Sequence, residues 1–80
     1  MNKINTIIYN RLHLFRAAHK LSREKLAQDL GVNFQTIGYL ERGEYNPSLE
    51  LALKIAKYFQ IPIEQIFSLE EFESILPNLK

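Results

Sequence analysis

Eighty residues suit one compact domain, so the chain is read as a single scaffold carrying a single site. It has no cysteine, which removes disulfides, thiolate metal ligands and cysteine nucleophiles, and no segment approaches the roughly 18 uninterrupted apolar residues of a membrane span. The formal net charge is only +1, yet residues 1–47 carry seven Lys/Arg against four Asp/Glu while residues 48–80 carry three against five, so a surface that meets a polyanion belongs in the N-terminal part. The opening Met1-Asn2-Lys3-Ile4-Asn5 lacks the apolar core of a signal peptide, and the expectation is a soluble, cytoplasmic protein. Folding at this size removes only about 60% of the unfolded chain's surface from water, so a second subunit would add useful buried area.

Between residues 6 and 20, Ile8, Leu12 and Phe15 recur at helical spacing and predict a first helix. Ser22 is a good N-cap for a second, with Glu24 in its first turn, Leu26, Ala27 and Leu30 on one face, and Gly31 to end it. Asn33 caps a third at once, Ile37 and Leu40 give it an inward face, and Gly43 closes it. Glu44-Tyr45-Asn46-Pro47 reads as a loop, because a residue before proline is pushed out of the helical region. Ser48 then caps a fourth helix, the clearest amphipathic one, with Leu51, Ala52, Ile55, Ala56 and Phe59 forming one stripe and Lys54 and Lys57 left wet. Pro62 suits the first position of a short fifth helix holding Ile63, Ile66 and Phe67. Ser68-Leu69-Glu70-Glu71 reads as a capping box, with Phe67 and Phe72 as its hydrophobic staple, and predicts a sixth helical turn or two before Pro77. No strand pattern is visible, and the predicted fold class is all-α.

The second and third helices, residues 22–30 and 33–42, are short and joined by a tight glycine-containing turn, which are the dimensions of a helix-turn-helix. The major groove of B-DNA, roughly 12 Å wide, accepts one helix while the preceding one braces it and crosses the sugar-phosphate edge. Ala27 is small where the two helices would cross, and Leu26, Ile37 and Leu40 would lock their angle.

From Asn10 to Phe67 the chain resembles the phage-repressor and Cro-like group, the Xre-type helix-turn-helix regulators. The resemblance rests on Leu21-Ser22-Arg23-Glu24-Lys25-Leu26-Ala27, Gly31-Val32, Gln35-Thr36-Ile37, Leu40-Glu41-Arg42-Gly43, Asn46-Pro47-Ser48 and Leu51-Ala52-Leu53-Lys54-Ile55-Ala56 together. It implies a five-helix DNA-binding domain over residues 1–68, with residues 69–80 as a C-terminal extension, and a transcriptional regulator whose third helix enters the major groove of double-stranded DNA. The family's base-contact positions fall on Asn33, Phe34, Gln35 and Tyr39. Gln35 has the amide that pairs with an adenine edge, against the alternative of a solvated helix-surface glutamine. Phe34 stands where the family usually has a polar or basic residue; contact with thymine methyls and extension of the core both fit it. Tyr39 fits a phosphate or base contact through its hydroxyl, or half-buried packing.

Phosphate contacts are expected from Arg23, Arg42, Arg11, Lys25 and Thr36, the last also placed for a thymine methyl or for packing. Arg23 occupies a place where the family commonly has glutamine, Glu44 one often given to lysine, and Lys20 one often given to glycine. The resemblance also implies an ion pair between Arg16 and Glu41 that ties the first helix to the third.

His13 and His19 do not share a helical face, and no cysteine or H-E-x-x-H pattern accompanies them, so no metal or cofactor is expected. Glu70, Glu71 and Glu73 read as a solvated face, and no enzymatic constellation appears. Phe72, Ile75, Leu76 and Leu79 exceed what a five-helix domain must bury; they would seal the core or form the interface of a homodimer reading a palindromic site. The rival class is a protein-interaction module, such as an antitoxin-like partner, built on the same fold.

Overall fold

The computed structural model describes residues 6–73. In chain order its elements are β1 (Tyr9–Asn10), α1 (Leu12–Ala18), α2 (Arg23–Leu30), α3 (Phe34–Glu41), α4 (Leu49–Phe59), a 3-10 turn (Ile63–Gln65) and β2 (Phe67–Ser68). Three helices start at the residues whose side chains suit capping. Ser22 Oγ accepts from Lys25 N at 3.0 Å, Asn33 Oδ1 from Gln35 N at 2.8 Å, and Ser48 Oγ from Leu51 N at 3.1 Å, each satisfying an amide that has no partner inside its helix.

All four α-helices end by the same device, an amide bonded back to the carbonyl five residues earlier across one left-handed residue. The bonds are Leu21 N to Arg16 O, Val32 N to Ala27 O, Glu44 N to Tyr39 O and Ile61 N to Ala56 O. Glycine supplies the left-handed residue at Gly31 and Gly43, while Lys20 (φ 53°) and Gln60 (φ 58°) adopt it despite a Cβ. Lys20 therefore makes this turn with a side chain in place, at a steric cost.

Expectations at both ends of the described segment are corrected. The first helix does not begin at residue 6, because Asn10 Oδ1 accepts from Leu12 N at 3.0 Å, and Arg11 N donates to Ile66 O at 3.0 Å. The preceding residues instead form β1, paired antiparallel with β2 through Tyr9 opposite Ser68 and Asn10 opposite Phe67. Among the described residues the fold is thus four α-helices with a small two-stranded sheet rather than five helices and all-α. A two-residue strand is too short to show a period-2 pattern, and its partner lies at the far end of the chain.

The fifth helix is a single 3-10 turn, with Pro62 extended ahead of it (φ −61°, ψ 146°) rather than inside it. Ser68 belongs to β2, and its Oγ accepts from Glu70 N at 2.9 Å in a local turn, so the predicted capping box is not formed. Phe67 joins the core, whereas Phe72 lies under the Arg11 guanidinium, 4.4 Å from ring centroid to Cζ. Residues 71–73 are not helical, and the remainder of the predicted sixth helix lies outside the described residues.

The core draws on every α-helix and both terminal segments: Leu12, Leu26, Ala27, Ile37, Leu40, Leu51, Ile55, Phe59, Ile66 and Phe67 form one cluster, with Ile8 and Phe15 packed against it. Full burial of such side chains contributes about 1.5–3 kcal/mol each, and here it fixes α2 and α3 on a common base. Among the described residues no helix is long and apolar enough to cross a membrane.

Candidate nucleic-acid interface

The turn between α2 and α3 is only Gly31-Val32-Asn33, and the helices it joins are locked from inside by Leu26, Ala27, Ile37 and Leu40, all buried. Burying that face turns the opposite side of α3 to solvent, with Phe34 at 49% and Tyr39 at 46% exposure. Phe34 is therefore not an extension of the core. Asn33 uses one lone pair of its side-chain oxygen on the cap, which leaves its amide nitrogen and the second lone pair to meet a base.

On one flank of α3 an open groove brings together Arg23, Phe34, Gln35, Gly38, Tyr39 and Arg42. The guanidinium of Arg42 lies 5.3 Å from the Tyr39 ring centroid, and its Nε is 3.2 Å from Glu44 Oε2. Glu44 thus offsets the charge of a neighbouring arginine. Thr36 is on the other flank, in a groove lined also by Val32, Tyr45, Ser48, Glu50, Leu51 and Lys54. Tyr45, Ser48 and Lys54 were read from the sequence only as loop, cap and wet surface. Their place beside α3 depends on the loop folding back, for which Asn46-Pro47 is a weak signal.

Arg11 and Lys25 stand apart from both grooves. Arg11 Nε donates to Gln65 O at 2.7 Å, so its guanidinium fastens α1 to the 3-10 turn and to Phe72. Lys25 Nζ is 3.1 Å from Asp29 Oδ1, and Tyr58 Oη donates to Asp29 Oδ2 at 2.6 Å, which joins α2 to α4. The Tyr58 hydrogen bond, and then Lys25, hold the Asp29 carboxyl below its usual range, while donation to Asp29 raises the Tyr58 phenol.

Beneath this surface the side chain of Glu41, the last residue of α3, is only 3% exposed and serves two arginines. Arg16 Nε of α1 donates at 2.7 Å and Arg23 Nε of α2 at 3.0 Å, while Arg16 Nη1 also reaches Leu21 O at 3.0 Å. The second partner was not legible in the sequence. With Nε held by Glu41, Arg23 keeps its two Nη groups for the groove, in the fork arrangement that matches an oxyanion. Among the described residues no three His, Cys, Asp or Glu side chains come close enough to hold a metal ion.

Comparison with known proteins places this geometry. An uncharacterized HTH-type transcriptional regulator of Methanocaldococcus jannaschii is 53% identical over 64 residues, covering 80% of this chain and 97% of that protein. The transcriptional repressor RstR of the cryptic phage CTXphi, from Vibrio cholerae, is 34% identical over 53 residues, 66% of this chain and 48% of that protein. The solved structure of the restriction-modification controller protein C.AhdI from Aeromonas hydrophila superposes with a TM-score of 0.63 at 37% identity, over 68% of this chain and 82% of that one. A Bacteroides fragilis structure reaches 0.69 over 76% of this chain and 98% of its own, at 23% identity, and supports the fold alone. A family model described as helix-turn-helix matches residues 12–66, from the first residue of α1 to the residue before β2, and the chain belongs to that family, in its Xre/Cro-type branch.

Proposed function

We propose that this helix-turn-helix transcriptional regulator is a repressor that covers a palindromic operator as a homodimer, with α3 of each subunit in the major groove. The observation that carries the reading is the exposed face of α3, where Gln35, Phe34 and Tyr39 stand beside Arg23 and Arg42 on a helix whose opposite face is locked into the core. Gln35 reads an adenine edge, Arg23 holds a phosphate, and Thr36 with Tyr45 follows the backbone on the far flank. Relatives named as transcriptional regulators, one of them a phage repressor, and a controller protein of similar fold support it.

For the dimer, the supporting feature is an apolar cleft lined by Ile8, Ile63, Phe67 and Leu69, with Leu69 71% exposed. Of the proposed interface residues, Phe72 is partly buried by Arg11, and Ile75, Leu76 and Leu79 lie outside the described residues. The same apolar surface favours a second reading, in which the principal contact is a partner protein. Selection from a random double-stranded library separates the two. A two-fold-symmetric motif with half-sites about 34 Å apart, preferred by roughly 10³ or more over scrambled DNA and with a steep salt slope, supports the operator-binding dimer. Gln35→Ala should then relax the preference at one position by about 1–3 kcal/mol. Absence of any enriched sequence refutes it in favour of the protein-interaction module.

A further inference from the structure

We propose that Arg42 reads a guanine in the operator, from a seat that Gly38 leaves open in the middle of α3. This rests on the operator-binding reading above and departs from the expectation that Arg42 grips a phosphate.

Gly38 is the puzzle that leads there. It sits inside the eight-residue recognition helix, where glycine is among the poorest helix formers, and its φ is not one that requires glycine. What it provides is space. A Cβ built at Gly38 would lie 3.2 Å from Arg42 Nη1, 3.8 Å from Cζ and 3.9 Å from Nη2, so the guanidinium lies over the place that a side chain at this position would fill. Arg42 has helical backbone angles (φ −84°, ψ −1°), and a helical side chain runs back over the preceding turn, which is where Gly38 stands four residues earlier.

The consequence is that an arginine at the end of α3 places its charge at the middle of the helix, in one groove with Gln35 and Tyr39. In a helix-turn-helix the N-terminal part of the recognition helix meets base edges, and the Arg42 guanidinium is carried back from the C-terminal end of α3 toward that part. The neighbours of the guanidinium argue the same way. Tyr39 stacks beside it at 5.3 Å, and Glu44 engages Nε at 3.2 Å, which leaves the Nη1–Nη2 edge as a planar pair of donors. Guanine, with O6 and N7 side by side in the major groove, is the base edge that accepts two parallel donors.

The test uses the full chain and the operator recovered by selection, with every single-base-pair variant of one half-site and a scrambled control. The wild type should prefer G·C about tenfold or more at one position. Arg42→Ala should bring that preference to near unity while other positions keep theirs, and Arg42→Lys, whose ammonium also reaches guanine O6 and N7 but lacks the planar fork, should keep only part of it. Gly38→Ala should weaken it, since the new Cβ would lie 3.2 Å from Arg42 Nη1 and displace the guanidinium, with a circular-dichroism melt at least as high as the wild type's because alanine favours the helix. Equal weakening on operator and scrambled DNA in Arg42→Ala, with all base preferences kept and binding restored by Arg42→Lys, would assign the residue to phosphate and overturn the proposal. If the wild type selects no sequence, the operator reading itself fails and takes this inference with it.

Discussion

Replacing Glu41 with alanine should destabilise the fold by about 2–4 kcal/mol, and the size follows from an asymmetry of exposure. The Glu41 side chain is 3% exposed, that of Arg16 20% and that of Arg23 43%. Removing one partner of a fully buried ion pair costs about 3–5 kcal/mol, because the remaining charge is stranded. Arg16 is not fully stranded: part of it meets water, and its Nη1 keeps the bond to Leu21 O at 3.0 Å. Arg23, nearly half exposed, contributes about 0–1 kcal/mol. A chain of this length is stable by about 4–12 kcal/mol, so the loss is a large fraction of the total and should lower the midpoint of thermal unfolding by roughly 10–30 °C.

Far-UV circular dichroism during heating, with urea titration for the free energy, measures this directly. Arg16→Ala should cost nearly as much as Glu41→Ala, Arg23→Ala less than about 1 kcal/mol, and the double variant Arg16→Ala/Glu41→Ala little more than either large single. A Glu41→Ala protein within about 1 kcal/mol of the wild type, or additive effects of Arg16 and Glu41, would show that the pair does not hold α1 to α3.

Lys20→Gly and Gln60→Gly should each raise stability by about 0.5–1 kcal/mol in the same melts, since both residues hold a left-handed conformation at φ 53° and 58° and the relief exceeds the extra entropy of glycine in the unfolded chain. Asn10→Ala should cost about 1–2 kcal/mol, because one side chain caps Leu12 N and also donates to Leu40 O at 2.9 Å. Asp29 has a depressed pKa in the fold, so its contribution is complete above its ordinary value of 3.8 and is lost as pH falls through the folded value. Tyr58→Phe removes the main cause of that shift; urea midpoints taken through the acid range should fall less steeply in the variant than in the wild type. Tyr58 itself has a raised pKa, so its share is present below 10.0 and is lost as pH rises through the folded value.

The parts of the fold legible in the sequence are those set by local chemistry. Ser22, Asn33 and Ser48 each cap the helix that follows, and Gly31 and Gly43 end α2 and α3, because a cap needs only its own side chain and the next few amides. The stripe of α4 is equally local, since 3.6-residue periodicity is written in consecutive positions. Where the reading ran a helix too far, at residues 6–11 and after Ile63, the decisive partner was distant in sequence. The apolar residues Ile8 and Phe67 fitted a helical spacing, but pairing of Tyr9 with Ser68 and Asn10 with Phe67 satisfied their backbone in another way.

The candidate site divides along the same line. The residues that α3 turns outward follow from which of its positions are apolar, so Gln35, Phe34 and Tyr39 were identifiable from spacing and family resemblance together. How the charged side chains are shared was decided only by the tertiary structure: Arg23 is bound to Glu41, Arg42 lies over Gly38 beside Glu44, and Arg11 and Lys25 are engaged away from α3. Long cationic side chains have the reach to choose among partners from several elements, and that choice depends on which carboxylates, carbonyls and rings the packed helices bring within a few ångströms. Backbone caps and apolar periodicity are determined within one or two turns of chain, whereas the electrostatics of the surface around α3 exist only once α1, α2 and α3 are assembled around Glu41.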